Sequence, residues 1–345
     1  MIGILLANVG TPASTGVADV RRYLGEFLMD PRVISIPTLL RWLLVHGIIL
    51  RTRPKKSAAA YRAIWTERGS PLLSHTEDLA AGLRRELGGG YVVEIGMRYQ
   101  QPSLANALDR LAAAVDEVIV VPLFPQYSAA AWASVFDAVA AWSRRRAALP
   151  ALHFLPPFHA HPAFLDAAAA VARPHLRGFG ADKVLMSFHG LPVRHVRACD
   201  RSGAHCLVAA DCCASLQHQN AFCYRAQCFA TANSLAGRLD LAQQDYEVTF
   251  QSRLTRNWIE PFTDVRLPQL VREGVRRLAV LCPAFVADCL ETLEEIGIRA
   301  RADFRAAGGE DLLLVPCVDA DPVWVRGLAT ILFEFAPRAA AGVAH

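Results

Sequence analysis

The chain has 345 residues, 53% of them hydrophobic and 20% charged, with a formal net charge of +4. This length and composition exclude a disordered chain and a single small domain, and suit two globular domains of about 150 residues each. The mild positive charge suits an acidic small molecule or an anionic lipid surface. No basic face is concentrated enough for nucleic acid, and the densest basic run, residues 144–146, belongs to the solvated end of a helix.

In chain order, residues 1–6 have no basic n-region and run straight into a strand-to-turn motif, so no signal peptide is expected. Short β-rich runs mark strands at 3–9, 91–97, 117–124 and 151–155, and a second set at 183–188, 246–251, 277–282 and 311–315. The most apolar stretch, residues 34–50, is interrupted by Pro37, Arg41 and His46 and is short for a membrane span. Trp42 and Arg41 beside Leu39, Leu40, Leu43 and Leu44 make it an amphipathic lip able to rest on the inner face of a membrane. Ser74-x-x-Glu77 reads as a capping box opening a helix to Leu87, and Pro102 with Ser103 starts the next.

Strands alternating with helices imply parallel sheets covered on both faces. The expected fold is α/β, with two similar Rossmann-like domains, each a four-stranded parallel sheet flanked by helices, joined near residues 156–182. A weak repeat supports it: the first strand of each half ends in a Gly-x-Pro turn, Gly10-Thr11-Pro12 or Gly190-Leu191-Pro192. In such sheets ligands bind beyond the carboxyl ends of strands, where His189 stands. Its imidazole is suited to binding a metal or taking a proton, a hydrogen-bonded structural histidine being the plainer alternative. Asp288 and Glu291, three apart, would share one helix face, either as ordinary first-turn carboxylates or as a pair carrying protons or a hard cation.

Several stretches look like motifs of one family. They are Leu6-Ala7-Asn8-Val9-Gly10-Thr11-Pro12, Gly69-Ser70-Pro71-Leu72, Met97-Arg98-Tyr99 and Pro122-Leu123-Phe124-Pro125-Gln126-Tyr127-Ser128. Ser187-Phe188-His189-Gly190-Leu191-Pro192, Phe250-Gln251-Ser252-Arg253, Trp258-Ile259-Glu260-Pro261 and the stretch from Asp288 to Leu293 continue the series. In this order, from residue 5 to about residue 295, the chain resembles a ferrochelatase, the enzyme that inserts ferrous iron into a porphyrin to make haem.

The resemblance implies the chelatase fold with an active-site cleft between domains 1–155, carrying the lip at the porphyrin pocket, and 156–345, carrying a cysteine-rich insertion at 199–228. It implies Fe²⁺ and protoporphyrin IX as substrates, and protohaem with two released protons as products. His189 matches the histidine of metal insertion or porphyrin deprotonation. Glu291 matches its partner across the cleft, both meeting the substrate iron, and Asp288 continues a carboxylate path. Val9, Tyr61, Ser70, Arg98, Tyr99, Phe124, Trp258 and Phe285 fall where the family lines or supports the porphyrin pocket. Val9 departs from the larger side chain of many members, and Phe124 from a tyrosine found in some. A coproporphyrin ferrochelatase, a cobalt chelatase and a non-catalytic haem- or cluster-binding sensor are the alternatives. The presence of both His189 and Glu291 argues against the last.

Residues 199–228 interrupt the strand–helix alternation. Nine cysteines in a chain without an export signal imply a reducing cytoplasm, and six of them follow Cys199-x6-Cys206-x5-Cys212-Cys213-x9-Cys223-x4-Cys228, a metal-ligand signal. Cys282, Cys289 and Cys317 lie in apolar surroundings and are expected as buried thiols. A four-thiolate zinc site is the rival assignment. Some ferrochelatases carry a [2Fe–2S] cluster, and the resemblance implies one in an internal insertion here. The C-terminal cysteines of animal enzymes are missing: only Ala, Gly, Pro, Val, Arg and His follow Phe335. Cys228 matches a helix position shared with cluster-free relatives and Cys199 lies nearest the active-site turn, so Cys206, Cys212, Cys213 and Cys223 are the expected ligands. Cys199 in place of Cys212 is the reserve, because the adjacent pair is geometrically awkward.

Overall fold

The computed structural model describes residues 1–336. Its eight strands form two all-parallel sheets. In the first, β1 (Ile2–Gly10), β2 (Tyr91–Tyr99), β3 (Glu117–Pro122) and β4 (Ala151–Phe154) lie in the order β2-β1-β3-β4. In the second, β5 (Lys183–His189), β6 (Tyr246–Gln251), β7 (Arg277–Leu281) and β8 (Asp311–Leu314) lie in the order β6-β5-β7-β8. The same order in both sheets is the structural counterpart of the paired Gly-x-Pro turns. Parallel strands are linked by helices that cross over the sheet, so inner strands are covered on both faces and read as unbroken apolar runs. Ile4, Leu5, Leu6 and Ala7 of β1 are accordingly all fully buried.

The helix after the first Gly-Ser-Pro starts earlier than the capping-box reading puts it. Pro71 occupies its first position and Ser70 its N-cap, because the fixed φ of proline is already helical and its missing N–H costs nothing there. Ser74 lies inside the helix, its hydroxyl donating to the Pro71 carbonyl at 3.1 Å. Ser103 does cap the next helix, accepting from the Asn106 N–H at 3.2 Å.

The apolar stretch becomes a helix at Thr38–Leu44, a π-helical turn at Val45–Ile49 and a second helix at Leu50–Ile64. Arg41 is buried, its guanidinium donating to the carbonyls of Ile34 and Ile36, which closes the preceding loop. Leu39 (69% exposed), Leu40, Trp42 and Leu43 are left facing outward. Among the described residues no helix is long and apolar enough to cross a membrane.

The segment joining the halves is itself largely helical, Pro162–Phe179, and packs against the last helix, Pro322–Phe335. That last helix also lies on Pro71–Leu87 of the first half. The approaches are close: a Cβ on Gly82 would stand 2.9 Å from Val325 Cγ2, and one on Gly327 would stand 2.9 Å from the Ala163 carbonyl oxygen. One apolar cluster therefore runs from Ile4 and Leu83 through Phe164 and Trp324 to Phe188 and Phe250. The two sheets share a core.

Candidate active site

In each sheet the chain leaves the first strand toward one edge and the third toward the other, so a crevice opens beyond the carboxyl ends of β1 and β3, and of β5 and β7. Val9 is the last residue but one of β1, Phe124 follows β3, His189 ends β5 and Phe285 follows β7, and all four line one cavity of about 230 Å³ together with Tyr61, Ser70 and Glu291. Leu24, Phe27, Leu72, Leu123, Leu191 and Leu290 give it an apolar wall. Glycine follows or ends each first strand for a steric reason. Gly10 has φ +107°, and a Cβ there would strike the Tyr99 carbonyl. A Cβ on Gly190 would sit 2.7 Å from the Gln251 carbonyl oxygen and 3.2 Å from the Trp258 ring.

His189 Nδ1 lies 2.6 Å from the Gly190 carbonyl oxygen. A carbonyl only accepts, so Nδ1 carries the proton, and in the neutral ring Nε2 has the lone pair. The ring stands 6.4 Å from that of Trp258 and 6.3 Å from that of Phe285. Glu291 belongs to the short helix Leu290–Thr292, which runs on as a π-helix over Leu293–Ala300. Burial, reinforced by the Glu291 carboxylate, pushes the hydroxyls of Tyr23 and Tyr61 and the Cys289 thiol upward. These groups stay neutral around the carboxylate. Ser187 on β5 donates to Gln251 Oε1 at 2.7 Å, and Gln251 Nε2 donates to the Glu291 carbonyl at 2.7 Å. This chain of bonds fixes the backbone of Glu291 relative to the strand that carries His189.

Four of the residues expected at the pocket stand one layer back from its surface. Arg98 donates to Asp30 at 2.6 Å and to Ser134 Oγ at 2.7 Å, and the Tyr99 hydroxyl donates to the same Asp30 oxygen at 2.8 Å. Burial works to raise the Asp30 carboxyl, but hydrogen bonds from Ser134, the Arg32 backbone and Tyr99, with the Arg98 charge, outweigh it and hold it below the usual range. Trp258 packs behind His189 and Gly190. Asp288 does not share a helical face with Glu291. The helix begins only at Leu290, and Cys289 before it is extended (φ −148°, ψ −169°). Ala287 and Cys289 therefore line the cavity while Asp288 turns away, accepting from Thr292 Oγ1 at 2.8 Å.

The cysteine segment gathers four sulfurs. Cys212 and Cys213 Sγ are 3.7 Å apart, and the thiols of Cys206 and Cys213 lie near that of Cys223. Cys206, Cys212 and Cys223 are buried and Cys213 is half-buried. Asp200 orders the loop ahead of them, accepting from the backbone N–H of His205 at 2.7 Å and of Cys206 at 2.6 Å. Arg225 Nη1 donates to Cys213 Sγ at 3.0 Å. Cys228 is fully buried against Tyr224, and Cys199 lies near Tyr127. Among the described residues no group of three or more His, Cys, Asp or Glu is arranged to hold a single metal ion.

The ferrochelatase family model matches residues 1–335. The chain belongs to the ferrochelatase family. It is 49% identical over 330 residues to a ferrochelatase of Pseudomonas putida, covering 94% of this chain and 97% of that one. To those of Pseudomonas fluorescens and Azotobacter vinelandii it is 47% and 48% identical, covering 97% and 95% of this chain and 98% and 97% of theirs. It is thus an enzyme of haem biosynthesis that inserts iron into a porphyrin. The sirohydrochlorin chelatase SirB of Bacillus subtilis subspecies spizizenii, solved with cobalt, shares the fold at 10% identity with a TM-score of 0.53, covering 96% of this chain and 94% of that one. CbiX, described as the terminal enzyme of sirohaem biosynthesis in denitrifying bacteria, does so at 16% identity with a TM-score of 0.50, covering 97% and 100%.

Two acidic groups of this ferrochelatase escaped the sequence reading. Glu295 accepts from the Ser252 N–H at 2.8 Å and its hydroxyl at 2.5 Å; burial raises its carboxyl, and the Ser252 hydrogen bonds pull the other way. Its spacing of four from Glu291 was the available signal. Asp319 accepts from the Asp288 N–H at 2.7 Å and lies 3.6 Å from His75 Nδ1. Burial, with the Asp288 charge adding to it, pushes the Asp319 carboxyl up to about 8. Such a group ionises near pH 4 in the unfolded chain, so its contribution to stability is full below about pH 4 and is lost as pH rises toward about 8. Asp319→Asn cannot ionise. Wild type should therefore lose thermal stability relative to Asp319→Asn between pH 4 and pH 8, and a constant Tm gap across that range would refute this account.

Proposed function

We propose that this enzyme inserts Fe²⁺ into protoporphyrin IX to form protohaem, releasing two protons. The supporting observation is the convergence of His189 and Glu291, from separate segments of the second half, on one apolar cavity shared by both sheets. Two pyrrole protons must leave while iron arrives, so one of the pair takes protons and the other meets the metal. The Nε2 lone pair of His189 and the carboxylate of Glu291 are each suited to either part. The apolar wall supplies binding energy that can be spent on bending the macrocycle, which exposes nitrogen lone pairs. Val9, Tyr61, Ser70, Phe124 and Phe285 contact the ring. Arg98, Tyr99 and Trp258 support that wall, and Asp288 acts from behind it.

No Lys or Arg is among the residues lining the cavity. That favours protoporphyrin over coproporphyrin, whose two extra propionates would enter without a cation to meet them. In an anaerobic Fe²⁺ assay, protoporphyrin should give the higher kcat/KM. His189→Ala should lose about 10²–10⁴-fold in turnover while still binding porphyrin. Near wild-type turnover would remove His189 from the mechanism.

The donor set at 199–228 fits a [2Fe–2S] cluster held by Cys206, Cys212, Cys213 and Cys223: four soft sulfurs in one segment, Cys212 and Cys213 3.7 Å apart, with a guanidinium beside Cys213. Bound there, the group would supply a redox-active brace to the second half, since inserting Fe²⁺ needs no electron transfer. The purified protein should be red-brown and hold about two irons and two acid-labile sulfides per chain, both lost in Cys206→Ser and Cys223→Ser. A colourless protein holding one zinc would overturn the assignment.

The domains are read as 1–155 and 156–345, each containing one complete sheet. The exposed Leu39, Leu40, Trp42 and Leu43 suit peripheral contact of a cytoplasmic enzyme with a membrane surface. Leu40→Glu with Leu43→Glu should abolish co-sedimentation with anionic liposomes, and unchanged binding would count against the lip.

A further inference from the structure

Arg225 occupies a place that neither the porphyrin cavity nor the sulfur ligands account for. It follows Cys223 and Tyr224 at the start of the helix Tyr224–Arg238, and it is half-buried. Its Nη1 donates to Cys213 Sγ at 3.0 Å, while Nε and Nη2 both donate to the Glu260 carbonyl at 3.2 Å. The guanidinium also lies 4.7 Å over the Phe229 ring and 6.0 Å from that of Phe250. Stacking and a forked pair of donors hold this planar group in one orientation, which a lysine could not reproduce.

The two acceptors belong to different parts of the molecule. Cys213 is one of the four gathered sulfurs. Glu260 lies two residues after Trp258, in a segment sewn to the end of β5: the Ile259 N–H donates to the Leu191 carbonyl at 2.9 Å, the Phe250 N–H donates to the Pro261 carbonyl at 2.8 Å, and Pro192 pairs with Trp258. The Trp258 ring backs His189. A displacement of the Cys213 sulfur therefore has a short mechanical route to the catalytic histidine: sulfur, guanidinium, Glu260 carbonyl, Trp258 ring, imidazole.

We propose that Arg225 is a positioning residue that couples occupancy of the cysteine segment to the Trp258 support behind His189. Binding a metal group replaces the proton on Cys213 with metal and concentrates negative charge on the sulfurs. The hydrogen bond from the guanidinium then strengthens as a charge-assisted one, and the Glu260 carbonyl follows the fork. The inference rests on the cysteine segment holding a metal group, though not on that group being iron–sulfur.

The test labels the full-length protein with 5-fluorotryptophan and assigns the Trp258 resonance by its absence from Trp258→Phe. In wild type, stripping the metal with a chelator should shift that resonance. Arg225→Gln should load the same metal content and show no such shift. Arg225→Lys, which keeps a charge but cannot bridge both acceptors, should behave like Arg225→Gln. Shifts of equal size in wild type and both variants would overturn the coupling, as would a wild-type Trp258 signal that ignores metal removal. Metal and sulfide analysis of the same samples separates the two readings. One zinc without sulfide ends the cluster assignment but leaves the coupling to be judged by the shifts, and a wild-type chain that holds no metal ends both.

Discussion

Everything at the site depends on one constraint: parallel strands cannot turn back on themselves, so each must be followed by a covering helix, and loops accumulate at the carboxyl edge. In both sheets the first strand is the inner one from which the others are laid out in two directions. The crevice this opens beside β1 and the one beside β5 contribute to one cavity. A pocket for a flat molecule arises without any single domain enclosing it. Val9 and Phe124 come from one sheet, and His189 and Phe285 from the other.

That arrangement explains how much of the molecule was legible beforehand. The inner strands were visible because strands covered on both faces are continuous apolar runs, and the Gly-x-Pro turns marked the ends of β1 and β5. His189 was legible for the same reason, as a polar residue at the carboxyl end of an inner strand. The side chains one layer deeper were not. Whether Arg98 faces the cavity or Asp30 is decided by Ser134 on a distant helix. Asp288 is turned from Glu291 by the extended backbone of Cys289 and by the contact with Asp319. The capping-box pattern at Ser74 lost to a proline three residues earlier. Each of these outcomes depends on a tertiary neighbour that local spacing does not encode.

The cysteine segment illustrates a different limit. Its composition pointed to soft-metal ligands, but only the folded chain shows Cys206 and Cys213 near Cys223, Cys228 buried against Tyr224, and Cys199 near Tyr127. Cys223 also precedes Tyr224, which lines the cavity. The segment and the cavity are thus neighbours along the chain as well as in space.

The last helix, Pro322–Phe335, has a consequence for the order in which the molecule is made. It lies on Pro71–Leu87 and on Pro162–Phe179, so the apolar faces of both stay open until residues 322–335 emerge from the ribosome. Contacts that span most of a sequence form late and leave sticky surface exposed in the meantime. A nascent chain that stops short of this helix already possesses His189 and Glu291, yet it has no finished core to hold the two sheets in place. The binding cavity is therefore among the last features of the enzyme to come into existence, and an unfinished chain offers a porphyrin no completed place to bind.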